Sequence, residues 1–461
     1  MAAPTPSPSP AIDLFRGWPN PSLHPTAALE AAAAAVLRDP ARSAPAFGYG
    51  PDEGDPDLRA AVARWLSGFY ASAAAPAVTP DRLCITGGAS QALACLLQVF
   101  ADPARTRAVW MVEPTYYLAC RIFDDAGFAG RMRAVPEDAE GIDVEFLEAE
   151  LKKCDAAAVE GASGTVESQA KSPFPWRKIY KHIIYAVPTF SNPSGSIMTT
   201  RRREQLVRLA RAHDALLAAD DVYDFLQWPG GHDDDPATQN PDRAVAPRLV
   251  DIDRVLDGGP PDDFGNAISN GSFSKLIGPG FRVGWVEAAP RLAYGLSQTG
   301  STISGGAPSQ LTSTFVRELL TSHFVPDFVH HTLRPVYRRR YHLLASAIAT
   351  HLAPLGVHHV GAPDDNNNDN DEAAVRGGYF IWIQLPATVS VTALAARARR
   401  EEALEVGEGR LFRVAGDSSN RERRHDVDRY VRLCFAYEEE PHLSAGVQRL
   451  ARALRRELRV E

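Results

Sequence analysis

Along the first two thirds of the chain, short apolar runs alternate with stretches whose apolar positions recur every three or four residues. Leu83-Cys84-Ile85-Thr86, Val109-Trp110-Met111-Val112, Ile183 to Val187, Ala215 to Ala219 and Val283 to Val286 read as buried parallel strands. Ser90 to Phe100 and Thr200 to His213 read as amphipathic helices between them. Strand and helix in alternation predict an α/β fold, a mostly parallel sheet covered on both faces. Past about Gly306 the pattern changes. Long helical patterns, Ser309 to Ser322 and Pro335 to His351, precede a strand-like Tyr379 to Leu385, another helix and a strand-like Val431 to Ala436. This part predicts a smaller α+β domain.

The chain has 461 residues, 45% hydrophobic and 23% charged, the balance of a soluble protein with ample material for a core. Its 49 basic and 57 acidic side chains give a net charge of −8, which argues against nucleic acid and anionic membranes as partners. The longest apolar stretch, Ala27 to Leu37, is mostly alanine and shorter than the roughly 20 residues a spanning helix needs. Met1 to Pro10 carries no basic residue and fits neither a secretory signal nor a transit peptide, so a disordered tail is expected there. Five widely spaced cysteines without a C-x-x-C pair suit a reducing, cytoplasmic compartment and predict no metal site. Ala156 to Pro175, Pro229 to Pro247 and Ala362 to Ala374 read as surface insertions, the last with an Asp/Asn run expected in a solvated loop.

Of the 49 basic residues only six are lysine, and from His182 onward Lys275 stands alone. Codon bias could leave one survivor. The alternative is that Lys275 does what arginine cannot, losing its proton and attacking a carbonyl as a free amine. Its surroundings favour the second reading. Ser272-Phe273-Ser274-Lys275 is followed by Gly278-Pro279-Gly280, Arg282 and Gly284, which places an amine, hydroxyls and a guanidinium around one pocket. Such a set suits a phosphorylated aldehyde.

The segment resembles the lysine motif of class I aminotransferases, fold-type I enzymes that use pyridoxal phosphate, and further motifs of that family follow in order from about Phe15 to Glu438. Thr86-Gly87-Gly88-Ala89-Ser90 ends a strand and opens a helix, so amides there would face an anion. The resemblance implies that Gly88, Ala89 and Ser90, with Ser272, Ser274 and Arg282, hold the cofactor phosphate. It also implies that Tyr116 of Glu113-Pro114-Thr115-Tyr116 stacks on the ring, although a core tyrosine is the plainer alternative. Asn192, in Asn192-Pro193-Ser194-Gly195, would bond the cofactor's phenolic oxygen and help seat the substrate. In Asp220-Asp221-Val222-Tyr223 the family's D-x-x-Y spacing assigns Asp220 to the pyridine nitrogen beside Tyr223, leaving Asp221 as the flanking acid. Tyr49, in Tyr49-x-x-x-x-Gly54-x-x-x-Leu58-Arg59, would reach the phosphate of a neighbouring subunit, which implies a homodimer with shared active sites. Arg432, in the apolar run Val431 to Ala436, needs an acid or an anionic ligand if buried. In the family it grips the substrate carboxylate; the resemblance also makes Gly17 a substrate-binding residue, in Gly17-x-Pro19-Asn20-Pro21, a segment most like the aminoadipate and aromatic aminotransferase branch.

The expectation is therefore a cytoplasmic aminotransferase moving an amino group from an L-amino acid to a 2-oxo acid. A tail over 1–14 would be followed by an N-terminal part of the small domain over 15–45. A large cofactor-binding domain over 46–306 and the rest of the small domain over 307–461 would complete the chain, with a disordered loop near 362–374. A lyase or decarboxylase on the same cofactor is the alternative. A regulatory domain fits less well, because only about a dozen residues precede the family-like sequence. No G-x-x-x-x-G-K-[ST] or G-x-G-x-x-G segment supports a nucleotide-binding reading.

Overall fold

Eight strands form the central sheet of the computed structural model, which describes residues 10–71, 76–161, 171–230, 242–361, 375–417 and 427–460. Across the sheet they run Leu83–Thr86, Gly284–Glu287, Ala267–Ser272, Ala215–Asp220, His182–Ala186, Ala108–Glu113, Met132–Asp138 and Gly141–Ile142. The five strands from Ala267–Ser272 to Met132–Asp138 are mutually parallel. Alternation along them builds two apolar layers. Val109, Met111, Ile183, Leu216 and Ala218 pack beneath the helices Ala89–Phe100 and Tyr117–Phe123, whereas Trp110, Ile184, Leu217 and Ala219 pack against Thr200–Ala212 and Leu249–Val255. The chain is thus an α/β fold with a mostly parallel sheet.

One strand departs from expectation. Gly284–Glu287, read from Val283 to Val286 as parallel, is antiparallel to both neighbours. Only the turn between Ser272 and Gly284 joins it to Ala267–Ser272, too little chain for the crossover that a parallel partner requires. Ala267–Ser272 itself escaped the apolar pattern because Ser269, Asn270 and Ser272 are polar yet buried.

The C-terminal third builds a second, antiparallel sheet ordered His358–His359, Phe380–Gln384, Tyr430–Cys434 and Gly407–Glu408. The helices Arg334–His351, Val391–Glu402 and Glu440–Leu458 belong to this part of the chain. Ile12–Asp13 pairs in parallel with Leu404–Glu405, and Ile12 and Leu14 are buried in the main core. Residues 12–14 of the tail expected over 1–14 are therefore ordered: the pairing with Leu404–Glu405 and the burial of Ile12 and Leu14 tie them to the C-terminal third. The expected loop near 362–374 lies outside the described residues, as do 162–170 and 231–241 of the other insertions. The helix Val144–Gly161 runs into the first of these, and Gln227–Pro229 pairs with Val375–Gly377 beside the other two. Among the described residues no helix is long and apolar enough to cross a membrane, and no group of three or more His, Cys, Asp or Glu could hold a metal.

Candidate active site

Strand ends from both sheets surround a cavity of about 480 Å³. Lys275 closes a short turn, Phe273–Lys275, at the end of the Ala267–Ser272 strand. The Ser272 hydroxyl caps that turn by accepting the Ser274 amide at 3.1 Å and donates to the Ser274 hydroxyl at 2.9 Å. The Lys275 amine donates to the Gly17 carbonyl at 2.8 Å and lies 5.3 Å from the Tyr379 ring centre and 5.9 Å from that of Tyr223. Burial pulls its pKa down to about 8, with Cys434 and Asp220 opposing the shift and Arg432 adding to it.

Beside the lysine turn, the helix Ala89–Phe100 begins at Gly88 without a side-chain cap, so its first amides are open to an anion. Gly88 has φ +97°, and a Cβ there would lie 2.6 Å from the Arg282 guanidinium. Only glycine lets the arginine approach this closely. Arg282 donates to the Gly87 and Pro279 carbonyls at 2.5 and 2.9 Å and lies 3.5 Å from the Ser274 hydroxyl. Amides, hydroxyls and a guanidinium thus meet at one end of the cavity, a donor set that fits a phosphate.

Asp220 and Asp221 part company by strand parity. Asp220 continues the face of Leu216 and Ala218 and lines the cavity, whereas Asp221 turns to the other face, towards the buried Arg203 and Arg248. Asp220 accepts the Tyr185 phenol at 3.0 Å and the Asn270 amide at 3.4 Å. Burial pushes its pKa up to about 7; the Tyr185 bond and Lys275 pull it down, and Asp221 pushes it up.

Arg432 comes from the strand Tyr430–Cys434 of the antiparallel sheet, where Val431 and Leu433 take the core side. It is 4% exposed and sits among the rings of Phe380, Phe412 and Phe15, with its guanidinium carbon 4.0, 4.7 and 5.3 Å from their centres. It donates to Asn192 Oδ1 at 2.6 Å and to the Phe15 carbonyl at 2.7 Å, while Nε is buried without a partner. No carboxylate within the described residues forms an ion pair with it. The Asn192 loop is fixed from below by Arg203, which bonds the Pro188 and Met198 carbonyls at 2.9 Å each. Gly17 passes over this corner: a Cβ there would meet Phe380 at 2.7 Å.

The cavity thus gathers Gly17, Ala89, Ser90, Tyr116, Asn192, Asp220, Tyr223, Ser272, Ser274, Lys275, Arg282 and Arg432. Gly88 stands just behind the lining, against Arg282. Tyr49 does not join them; it is 90% exposed, with its ring against Gly305. The motifs did not reveal Tyr185 and Asn270 on Asp220, the rings around Arg432, or Tyr379, whose hydroxyl donates to the Lys275 carbonyl at 2.9 Å. An isolated Tyr inside the apolar strand His182–Ala186 was the available signal for Tyr185; Asn270, in the polar run Ser269 to Ser272, offered none.

A lysine amine, a buried acid and an arginine with no ionic partner among the described residues around one cleft of this sheet fit a fold-type I enzyme acting on amino acids. The family described as aminotransferase class I and II matches residues 19–450, and the chain belongs to it. It is a transaminase, from a family that works with pyridoxal phosphate. An uncharacterized protein of Saccharomyces cerevisiae is 33% identical over 424 residues, covering 89% of this chain and 90% of the relative. Aromatic-amino-acid aminotransferase 1 of Thermococcus litoralis is 26% identical, covering 98% and 89%. LysN, the α-aminoadipate aminotransferase of Thermus thermophilus solved with N-(5'-phosphopyridoxyl)-L-leucine, superposes with a TM-score of 0.72 at 27% identity, covering 97% of this chain and 93% of that one.

Proposed function

We propose that this chain holds pyridoxal phosphate in the cavity and uses it to move the amino group of an L-amino acid to a 2-oxo acid. When bound, the cofactor supplies an aldehyde for the amino group and a protonated ring that withdraws electrons from the substrate's α-carbon. Lys275 is the covalent attachment point and afterwards carries the α-proton, for which an amine titrating near 8 is suited. Asp220, beside Tyr223, faces the ring nitrogen, Tyr116 the ring, and Asn192 the phenolic oxygen. Ala89, Ser90, Ser272, Ser274 and Arg282 hold the phosphate at the helix N-terminus that Gly88 opens. Arg432 takes the substrate carboxylate next to Asn192 and Gly17. Residues 46–306 form the cofactor-binding domain, and 15–45 with 307–461 the small domain.

The observation that carries this reading is Arg432, a buried guanidinium with no acidic partner among the described residues, on the cavity wall that Lys275 shares. Lysine could supply the charge but not the two-pronged grip. Arg432→Lys is expected to raise the KM for the amino donor roughly ten- to a hundredfold with cofactor affinity unchanged. The check is single-turnover loss of the visible cofactor band on mixing with amino acid. An unchanged donor dependence removes Arg432 from the site; a matching loss of cofactor makes it structural.

The active unit in this reading is a homodimer in the cytoplasm. Tyr49 and Phe47 are 90% and 71% exposed, and the molecule carries an apolar groove lined by Leu29, Ala33, Ile277, Phe281 and Phe315. A second copy would cover such exposed apolar surface and bring its Tyr49 to the phosphate. Sedimentation should show a dimer, and Tyr49→Phe should weaken cofactor binding about tenfold at most without dissociating it. A monomer that retains full activity contradicts this arrangement. The aromatic lining of the cavity by Phe15, Trp18, Tyr117 and Phe380, together with the aromatic and aminoadipate relatives, supports an amino donor with a large side chain.

A further inference from the structure

Both carboxylate oxygens of Asp220 face a neutral donor from an adjacent strand. The Tyr185 phenol donates to Oδ2 at 3.0 Å, and the Asn270 amide lies 3.4 Å from Oδ1. The same Asn270 nitrogen donates to the carbonyl of Ala89 at 3.0 Å, the first residue of the helix that opens the phosphate site. Both residues are buried, at 1% and 4% exposure. Sheet register puts them there. Tyr185 pairs with Ala218, two residues before Asp220, and Asn270 pairs with Asp220 itself, so all three side chains leave the same face.

Two fixed donors set the plane of a carboxylate that could otherwise rotate about its own bond, and leave its remaining lone pairs aimed into the cavity. Their neutrality matters as much as their position. An arginine or lysine bonded here would neutralise Asp220 and remove its reason to keep a proton on a neighbouring nitrogen, whereas a phenol and an amide favour the anion without competing for it. The other groups acting on Asp220 do so through space: Lys275 from the lysine turn, Asp221 from the same strand end, Tyr116 from beyond the Ala108–Glu113 strand, and Tyr223.

We propose that Tyr185 and Asn270 are positioning residues for transamination, fixing the plane of Asp220 and favouring its anion, and so setting how far a shared proton resides on the cofactor's ring nitrogen. This rests on the assignment of Asp220 to that nitrogen. Asn270 additionally ties the acid to the phosphate end of the site, so that both ends of the cofactor are gripped from one rigid strand.

The test begins with the cofactor-free protein labelled with 13C at aspartate carboxyls, the Asp220 signal being assigned by its loss in Asp220→Asn. Tyr185→Phe removes one oxygen and keeps the ring, which packs edge-on against Phe123 at 5.8 Å. It is expected to raise the Asp220 titration midpoint by about one pH unit, the size of one lost hydrogen bond to a charged acceptor. Asn270→Ala should shift it the same way by less. In the loaded enzyme, 15N-labelled pyridoxal phosphate should show its ring nitrogen less protonated in Tyr185→Phe. There kcat should fall roughly tenfold with the amino-acid KM unchanged. If both variants keep the wild-type midpoint and the wild-type 15N signal, Tyr185 and Asn270 are merely structural and the inference is overturned, even where kcat falls. If Asp220→Asn leaves the 15N signal in place, the assignment of Asp220 fails and this inference fails with it. Loss of the signal in Asp220→Asn alone sinks only the inference.

Discussion

Lys275→Arg is expected to give a folded protein that turns over no amino acid and shows no visible band when mixed with pyridoxal phosphate. Arginine keeps the charge and most of the bulk, so folding and the contact with the Gly17 carbonyl should survive. What it cannot do is lose its proton, because a guanidinium stays charged at any working pH. Both tasks assigned to the residue, covalent attachment and proton carriage, need a free amine. Proton carriage alone is worth about 10²–10⁴ in rate, and losing attachment as well should put turnover below detection. The wild-type lysine provides a second measurement. Burial holds its pKa near 8, below the ordinary lysine value, so the neutral amine dominates above pH 8 and vanishes below it. The rate at which cofactor-free protein acquires its visible band should therefore climb through pH 8 and level off. A rate still climbing at pH 10 means that an ordinary surface lysine is reacting, and residual turnover in Lys275→Arg would displace Lys275 from the centre of the site.

The residues legible from sequence share one property: chemistry and backbone geometry constrain them together. Lys275 sits in a turn whose Ser272 caps it and whose Arg282 reaches back to Gly87, so the spacing of the motif records the geometry of the pocket. Gly88 and Gly17 are legible for the complementary reason, since a Cβ at either would collide with Arg282 or Phe380. Tyr185 and Asn270 escaped because their partner is distant in sequence and their local setting is an ordinary strand; register between three strands, not spacing within one, brings them to Asp220. Phe412 escaped for the same reason. It reaches the site through the segment after Gly407–Glu408, whose Phe412 carbonyl accepts the Thr115 amide at 2.8 Å. The direction of Gly284–Glu287 was hidden because an apolar run has no polarity. Only the length of the connection reveals it.

Asp220→Asn is expected to cut kcat on the order of a thousandfold while cofactor still binds. A carboxylate about 4 Å from a pyridinium, at an effective dielectric near 20, contributes roughly 4 kcal/mol, or about three powers of ten. Asparagine keeps the shape and cannot hold that proton. Phosphate contacts and Lys275 are untouched, so the visible band should still form. Stability should move the other way. Burial raises the Asp220 pKa to about 7, above that of an unfolded aspartate, so between roughly pH 4 and pH 7 folding works against its ionisation. A neutral amide removes that cost, and the cofactor-free variant should melt no lower than wild type at neutral pH. Asp221→Asn is the control, because Asp221 faces away from the cavity towards Arg203 and Arg248. Its charge pushes the Asp220 pKa up, so removing it makes Asp220 a firmer anion and should leave kcat within about threefold of wild type. Rapid-quench single turnovers with an α-deuterated amino acid decide the matter: a slowed, isotope-sensitive step in Asp220→Asn and a normal one in Asp221→Asn place the sink for the α-carbon's electrons opposite Asp220. The reverse pattern would mean that the strand is read one residue out of register.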